Sequence, residues 1–358
     1  MQYVILMKQL LECQYSKVGE WMKMDNKVFN KKDREIMSNF YTERCINTRT
    51  QYGYNNALSL YIQYTKMHLF ELLTEADIEE ERGIRWKRSK LKEKLIGFRG
   101  WLQEKYKYST IKVLWNRIKT FYTHFEIEIG FIPQLNQKAV IKSEPITYDD
   151  IPSKEMLNEC LEYADPLMKA LILFMTSSGC ARRETLNITI NDFLEATNEY
   201  HSNKGTVNEQ LTELILQNNM VPTFKIKRQK TNKYYYTFCT PEATKAICAY
   251  LLGSGRRFDK GHNHHLLFKT NLDHLNKCFK ELNDKVDGGY VADMKRIRSH
   301  MLRKFHASRL YNDGMSIDKI DALQGRAKDN THKAYFKESP EKLKELYIEH
   351  IDSVRLNL

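Results

Sequence analysis

In Arg298-Ser-His300-Met-Leu-Arg303 an imidazole and a guanidinium stand three residues apart, a spacing that puts both on one face of a helix. An imidazole exchanges protons near neutral pH and a guanidinium grips an anion through paired hydrogen bonds, so the pair suits chemistry on a phosphate. Upstream, Thr176-Ser-Ser-Gly179-Cys-Ala-Arg182-Arg183-Glu184 reads as an apolar helix that stops at a glycine, followed by a second helix opening on two arginines. Arg182 or Arg183 could hold a phosphate there, with Glu184 to orient it; taken alone, such a cluster is more commonly a surface salt bridge. Lys230 lies near the tip of a hairpin, in Gln229-Lys230-Thr231-Asn232 between two alternating stretches, Thr223-Phe-Lys-Ile-Lys and Lys233-Tyr-Tyr-Tyr-Thr-Phe. A lysine there usually serves solubility, yet it can also reach into a groove and protonate a leaving oxygen. Further on, Leu323-Gln-Gly325-Arg326 closes a helix, and Tyr335 follows Arg326 by nine residues.

The elements that must position these residues follow from periodicity. Leu58, Tyr61, Ile62 and Thr65 share a face after Thr48 and Thr50, either of which could cap the helix; Leu91, Leu95, Phe98 and Leu102 form a second stripe, and Ile111, Leu114, Ile118, Phe121 and Phe125 a third. The opposite faces carry Lys92, Lys94 and Arg99, then Lys112, Arg117 and Lys119, nearly all of one sign, which favours contact with phosphates over a merely solvated surface. Prolines 133, 145 and 152 bracket a polar, aperiodic stretch that reads as a linker. The resulting division is an N-terminal arm over 1–37, a helical domain over 38–132, a linker over 133–152 and a second domain over 153–358 that holds the candidate chemistry. In the last, helices are expected from Ser153 to about Tyr163 and from about Pro166 to Ser177. Ser339-Pro340 starts a final helix whose stripe of Leu343, Tyr347, His350 and Val354 makes Tyr347 a packing residue.

Composition narrows the class of partner. With 42% hydrophobic and 28% charged residues the 358-residue chain can bury real cores, and its net charge of +12 favours a polyanion. Lys295, Arg296 and Arg298 add a basic cluster beside His300. The seven cysteines are scattered without C-x-x-C, arguing against a zinc site or disulfide framework and for a reducing compartment. His262, His264 and His265 read as a polar loop rather than a metal site. No stretch has the length of a membrane span or the core of a signal peptide, so the expected location is the cytoplasm.

Arg182, Lys230, His300-x-x-Arg303 and Tyr335, in that order, resemble the tyrosine recombinase (phage integrase) family, with its T-G-x-R-x-x-E, hairpin lysine, H-x-L-R-H-x-F-A and L-G-H segments and a tyrosine nine residues beyond that last His. The resemblance covers about residues 150–340, and more loosely the helical 47–130 segment, which looks like the family's core-binding domain. It implies a mainly α fold with a small antiparallel β-sheet in the C-terminal domain. It also implies DNA cleavage and rejoining through a 3′-phosphotyrosyl link at Tyr335, with Arg182, Lys230, His300, Arg303 and Arg326 as the other catalytic residues. No cofactor or metal is implied, and the partner is double-stranded DNA, bound as two sites by four protomers. Two features depart from the pattern: one residue, not two, separates Arg182 from Glu184, and Arg326 stands where the family more often has His or Trp. The Gln-Gly-Arg form resembles archaeal and archaeal-virus members, for which the location would be the host cytoplasm. The rival readings are a type IB topoisomerase, which relaxes DNA with similar chemistry, and a DNA-binding relative that has lost catalysis.

Overall fold

The computed structural model describes residues 28–135, 145–255, 265–326 and 339–357. Tyr335 and most of the histidine cluster lie outside them. The chain divides into two compact units, 1–144 and 145–358.

Unit 1 is helical: α1 (Lys31–Glu43), α2 (Thr48–Thr65), α3 (Leu69–Glu81), α4 (Lys90–Gln103) and α5 (Tyr108–His124). The three expected stripes face one core with Phe40 and Leu69, although Phe125, just past the end of α5, is only partly buried. Helix α1 runs through the boundary expected at residue 37, because its start is fixed at Asn30. The Asn30 side chain accepts from Asp33 N–H at 2.8 Å, and the buried Asp33 carboxylate also accepts from Leu69 N–H at 2.8 Å, tying α1 to the start of α3. Helix α2 is capped by Asn47, whose Oδ1 accepts from Thr50 N–H at 3.0 Å, rather than by Thr48 or Thr50. The expected linker also starts too early, since Trp86 Nε1 donates to Phe131 O at 2.9 Å and Arg99 donates to Pro133 O. Residues up to 135 therefore pack as part of unit 1.

Unit 2 is built around α7 (Pro166–Ser178), which follows α6 (Lys154–Tyr163). Asp165 caps α7 with Pro166 in its first turn, and every residue from Ala170 to Ser178 is buried; a helix apolar on all sides belongs inside a core. Around it come α8 (Arg182–Leu186), α9 (Ile190–Ala196), α10 (Val207–Leu216), the hairpin β1 (Thr223–Arg228) and β2 (Lys233–Phe238), and α11 (Pro241–Gly253). Then follow α12 (Leu272–Lys285), a short hairpin of β3 (Tyr290–Val291) and β4 (Met294–Lys295), α13 (Ser299–Asn312), α14 (Ile317–Leu323), α15 (Pro340–Glu349) and α16 (Ile351–Val354). β1 pairs antiparallel with β2 from Thr223↔Phe238 to Arg228↔Lys233, leaving 229–232 as the turn. Both α11 and α13 pack on α7. The fold is thus mainly α with small antiparallel sheets, as expected.

Candidate active site

The end of α7 begins the site. Gly179 takes φ +63°, and a Cβ there would stand 2.5 Å from His306 Nδ1, so only glycine combines the left-handed turn with this approach. The chain then enters α8, and the buried Glu184 side chain turns back to accept from Ala181 N–H at 3.1 Å. The same carboxylate oxygen accepts from the Tyr235 hydroxyl at 2.8 Å and lies 3.8 Å from Arg303 Nη1.

Arg303, only 6% exposed, is held by main-chain carbonyls from two distant segments. Its Nη1 donates to Gly179 O at 2.6 Å and its Nη2 to Gln324 O. A guanidinium has five N–H donors in a rigid fork, so these bonds fix its plane and leave donors for an anion. Gln324 returns the contact, its Nε2 donating to Arg303 O at 3.0 Å and to His306 Nδ1 at 2.9 Å. An accepting Nδ1 requires a neutral His306 ring protonated on Nε2. Burial, reinforced by the charges of Arg303 and Arg326, pushes its pKa down to about 3. Gly325 follows at φ +62°, its Cα lying on the Tyr235 ring so closely that a Cβ would meet Cδ1 at 2.6 Å. Tyr235 thus joins Glu184 to the turn that carries Arg326.

Arg326 is half-buried. Desolvation lowers its proton affinity, and the nearby charges of Arg303 and Arg228 lower it further. His300, on the first turn of α13, has its pKa lowered by partial desolvation and then by Lys304, Arg298, Arg326 and Arg303. His300 and Arg303 lie three residues apart on α13, and the bond from Arg303 Nη2 to Gln324 O ties them to the turn that carries Arg326, an arrangement suited to the non-bridging oxygens of a phosphodiester. Lys230 is exposed in the hairpin turn, as expected. Arg182 instead donates to Asn276 Oδ1 on α12 at 2.6 Å, while the Glu184 expected to orient it is engaged by Tyr235 and Ala181 and lies beside Arg303. Sequence reasoning missed Tyr235, Arg228, Lys304 and Gln324; the Gly325 turn and the tyrosine run of β2 were visible, but nothing local showed that they meet. Tyr347 is fully buried and donates its hydroxyl to Ser177 O at 2.9 Å.

Residues 153–342 match the phage integrase family. The chain belongs to the phage integrase family. It is accordingly a tyrosine site-specific recombinase. The XerH site-specific recombinase in a pre-cleavage complex with its difH substrate shares the fold, with a TM-score of 0.52 and 16% identity over 87% of this chain and 83% of that one. The Tn1549 transposon integrase in complex with circular intermediate DNA is 15% identical over 88% of this chain and 98% of its own, with a TM-score of 0.49. A lambda integrase dimer bound to a core site is 13% identical over 86% and 98%, with a TM-score of 0.46. No curated protein sequence matches the chain.

Several basic residues expected on the surface of this integrase are engaged within it. Lys94 is paired with Glu75. Arg117 donates to Gly53 O at 3.0 Å. Arg99 holds Pro133 O and lies 5.2 Å from the Trp115 ring centroid, with Lys119 at 4.4 Å from the same ring. Lys112 is exposed and Lys92 half-buried. In unit 2, Lys295 pairs with Asp284, Arg296 donates to Asp149 O at 3.2 Å, and Arg298 donates to Lys295 O. Among the described residues no helix is long and apolar enough to cross a membrane.

Proposed function

We propose that the enzyme cleaves and rejoins duplex DNA by direct attack of the Tyr335 phenolate on the scissile phosphate. The new tyrosyl–phosphorus bond replaces the bond to the 5′-oxygen, leaving a 3′-phosphotyrosyl link and a free 5′-hydroxyl. When a second 5′-hydroxyl attacks, the tyrosine leaves and the backbone is restored, so the energy of the phosphodiester is conserved and the reaction uses no cofactor.

Arg303 and Arg326 stabilise the charge on the non-bridging oxygens, and Arg182 adds a third donor on leaving Asn276. Lys230 protonates the departing 5′-oxygen. His300, held neutral at pH 7 by partial desolvation and neighbouring cations, hydrogen-bonds the phosphate or accepts the tyrosine proton, help that a phenol of pKa about 10 requires. Both units contact the duplex, four protomers assemble on two sites, and the work takes place in the cytoplasm. The observation that carries this reading is the bond from Arg303, three residues from His300 on α13, to Gln324 O in the turn before Arg326, in a chain of the phage integrase family.

The test is a nicked duplex whose short cleaved fragment diffuses away. Wild type and Tyr347→Phe should accumulate a protein–DNA adduct, whereas Tyr335→Phe should bind the DNA and form none. An adduct that survives Tyr335→Phe, or a nucleotide mapped to Tyr347, removes Tyr335 from the mechanism.

A further inference from the structure

Between Arg82 and Lys92 the chain places six cations and no carboxylate. In the structure this run is a fixed turn rather than a loose loop. Helix α3 ends on Gly83 at φ +62°, with Ile84 N–H donating to Glu79 O at 3.0 Å, the bond that closes a helix with a left-handed glycine. A single 3₁₀ turn follows over Trp86–Arg88. Trp86 anchors it from beneath, with its Nε1 bonded to Phe131 O and its indole so close to Gly130 that a Cβ there would stand 2.7 Å from the ring. The buried Glu79 carboxylate anchors the far end, accepting from the Ser89 hydroxyl at 2.7 Å and Lys90 N–H at 2.8 Å.

On this scaffold Arg82, Arg85, Lys87 and Arg88 are all exposed. Lys90 reaches Glu75 at 3.5 Å, but no carboxylate lies within ion-pair range of the other four among the described residues. This contrasts with Lys94, Arg117 and Arg99, which are engaged inside unit 1. Cations mounted on an ordered backbone leave only side-chain freedom to be lost on meeting an anion, and exposed guanidinium and ammonium groups outside any ion pair have none to break first.

We propose that the turn formed by Arg82, Arg85, Lys87 and Arg88 is the principal phosphate-backbone contact of unit 1, binding duplex DNA without regard to sequence. This rests on the reading of the protein as a DNA recombinase and relocates the contact from the helix faces of α4 and α5 to the turn before α4.

The test is the salt dependence of binding to two duplexes of unrelated sequence, for wild type and for the combined variant Arg85→Gln, Lys87→Gln, Arg88→Gln. Each lost phosphate contact lowers the slope of log affinity against log salt by about 0.9, so the combined variant should lose about 2–3 from the slope, equally on both duplexes. The charge-preserving variant Arg85→Lys, Arg88→Lys should keep the wild-type slope, and an unchanged thermal midpoint shows that neither variant has unfolded. A triple variant with the wild-type slope, or one weakened on a single sequence only, overturns the proposal while leaving the recombinase reading intact. A wild type that binds neither duplex, or binds both with no salt dependence, overturns both.

Discussion

The hydroxyl of Tyr235 donates to Oε2 of Glu184 at 2.8 Å. This joins the second strand of the hairpin that presents Lys230 to the carboxylate beside Arg303. Tyr235→Phe keeps the ring but removes a buried hydrogen bond to a charged acceptor, and should destabilise unit 2 by about 1–3 kcal/mol in denaturant unfolding. Cleavage should fall more than DNA affinity, because hairpin and arginine lose their shared support. A variant with wild-type stability and cleavage would mean that the bond has no positioning role.

Gly325→Ala meets two obstacles, the left-handed backbone at φ +62° and the Tyr235 ring 2.6 Å from the new methyl group. The conformation alone costs about 1–2 kcal/mol, and relief of the clash displaces the turn bearing Arg326. Cleavage on the order of 10²-fold slower, with DNA binding nearly intact, is expected. Single-turnover cleavage beside a binding titration separates the two effects, and parallel loss of both would point to general unfolding instead.

The acid sensitivity of unit 2 should trace in part to His306. Burial lowers its folded pKa from 6.5 to about 3, so between those values the unfolded chain binds more protons than the folded one. Stability from the neutral ring is fully present above pH 6.5 and is lost as pH falls toward 3. The loss approaches about 1.4 kcal/mol per pH unit inside that window. Urea unfolding at pH 7, 6 and 5 should therefore show wild type falling more steeply than His306→Gln. Identical slopes for the two proteins would exclude a buried neutral imidazole.

Lys230 stands exposed in the turn between β1 and β2. If it protonates the leaving 5′-oxygen, Lys230→Ala should slow cleavage of ordinary DNA much more than of DNA with a 5′-thio leaving group, which needs little protonation. Equal slowing of both substrates would assign the lysine to binding.

What was legible in the sequence is what local rules encode. The three apolar stripes of unit 1 lie in its core, Gly179 and Gly325 end helices in the left-handed conformation, and Ser153 and Ser339 cap the helices they precede. Tyr347 is buried as its stripe required. Each of these features is set by residues within one or two helical turns, so spacing and residue type suffice. Contacts between distant segments were decided by the tertiary structure alone. Glu184 meets Tyr235 and Arg303, Arg303 meets Gly179 and Gln324, and Lys94 is taken by Glu75 while Arg85 and Arg88 remain exposed. A run of like charges looks the same in sequence whether its members reach solvent or an internal carboxylate. Which of the two occurs depends on how whole helices pack, and no local pattern records it.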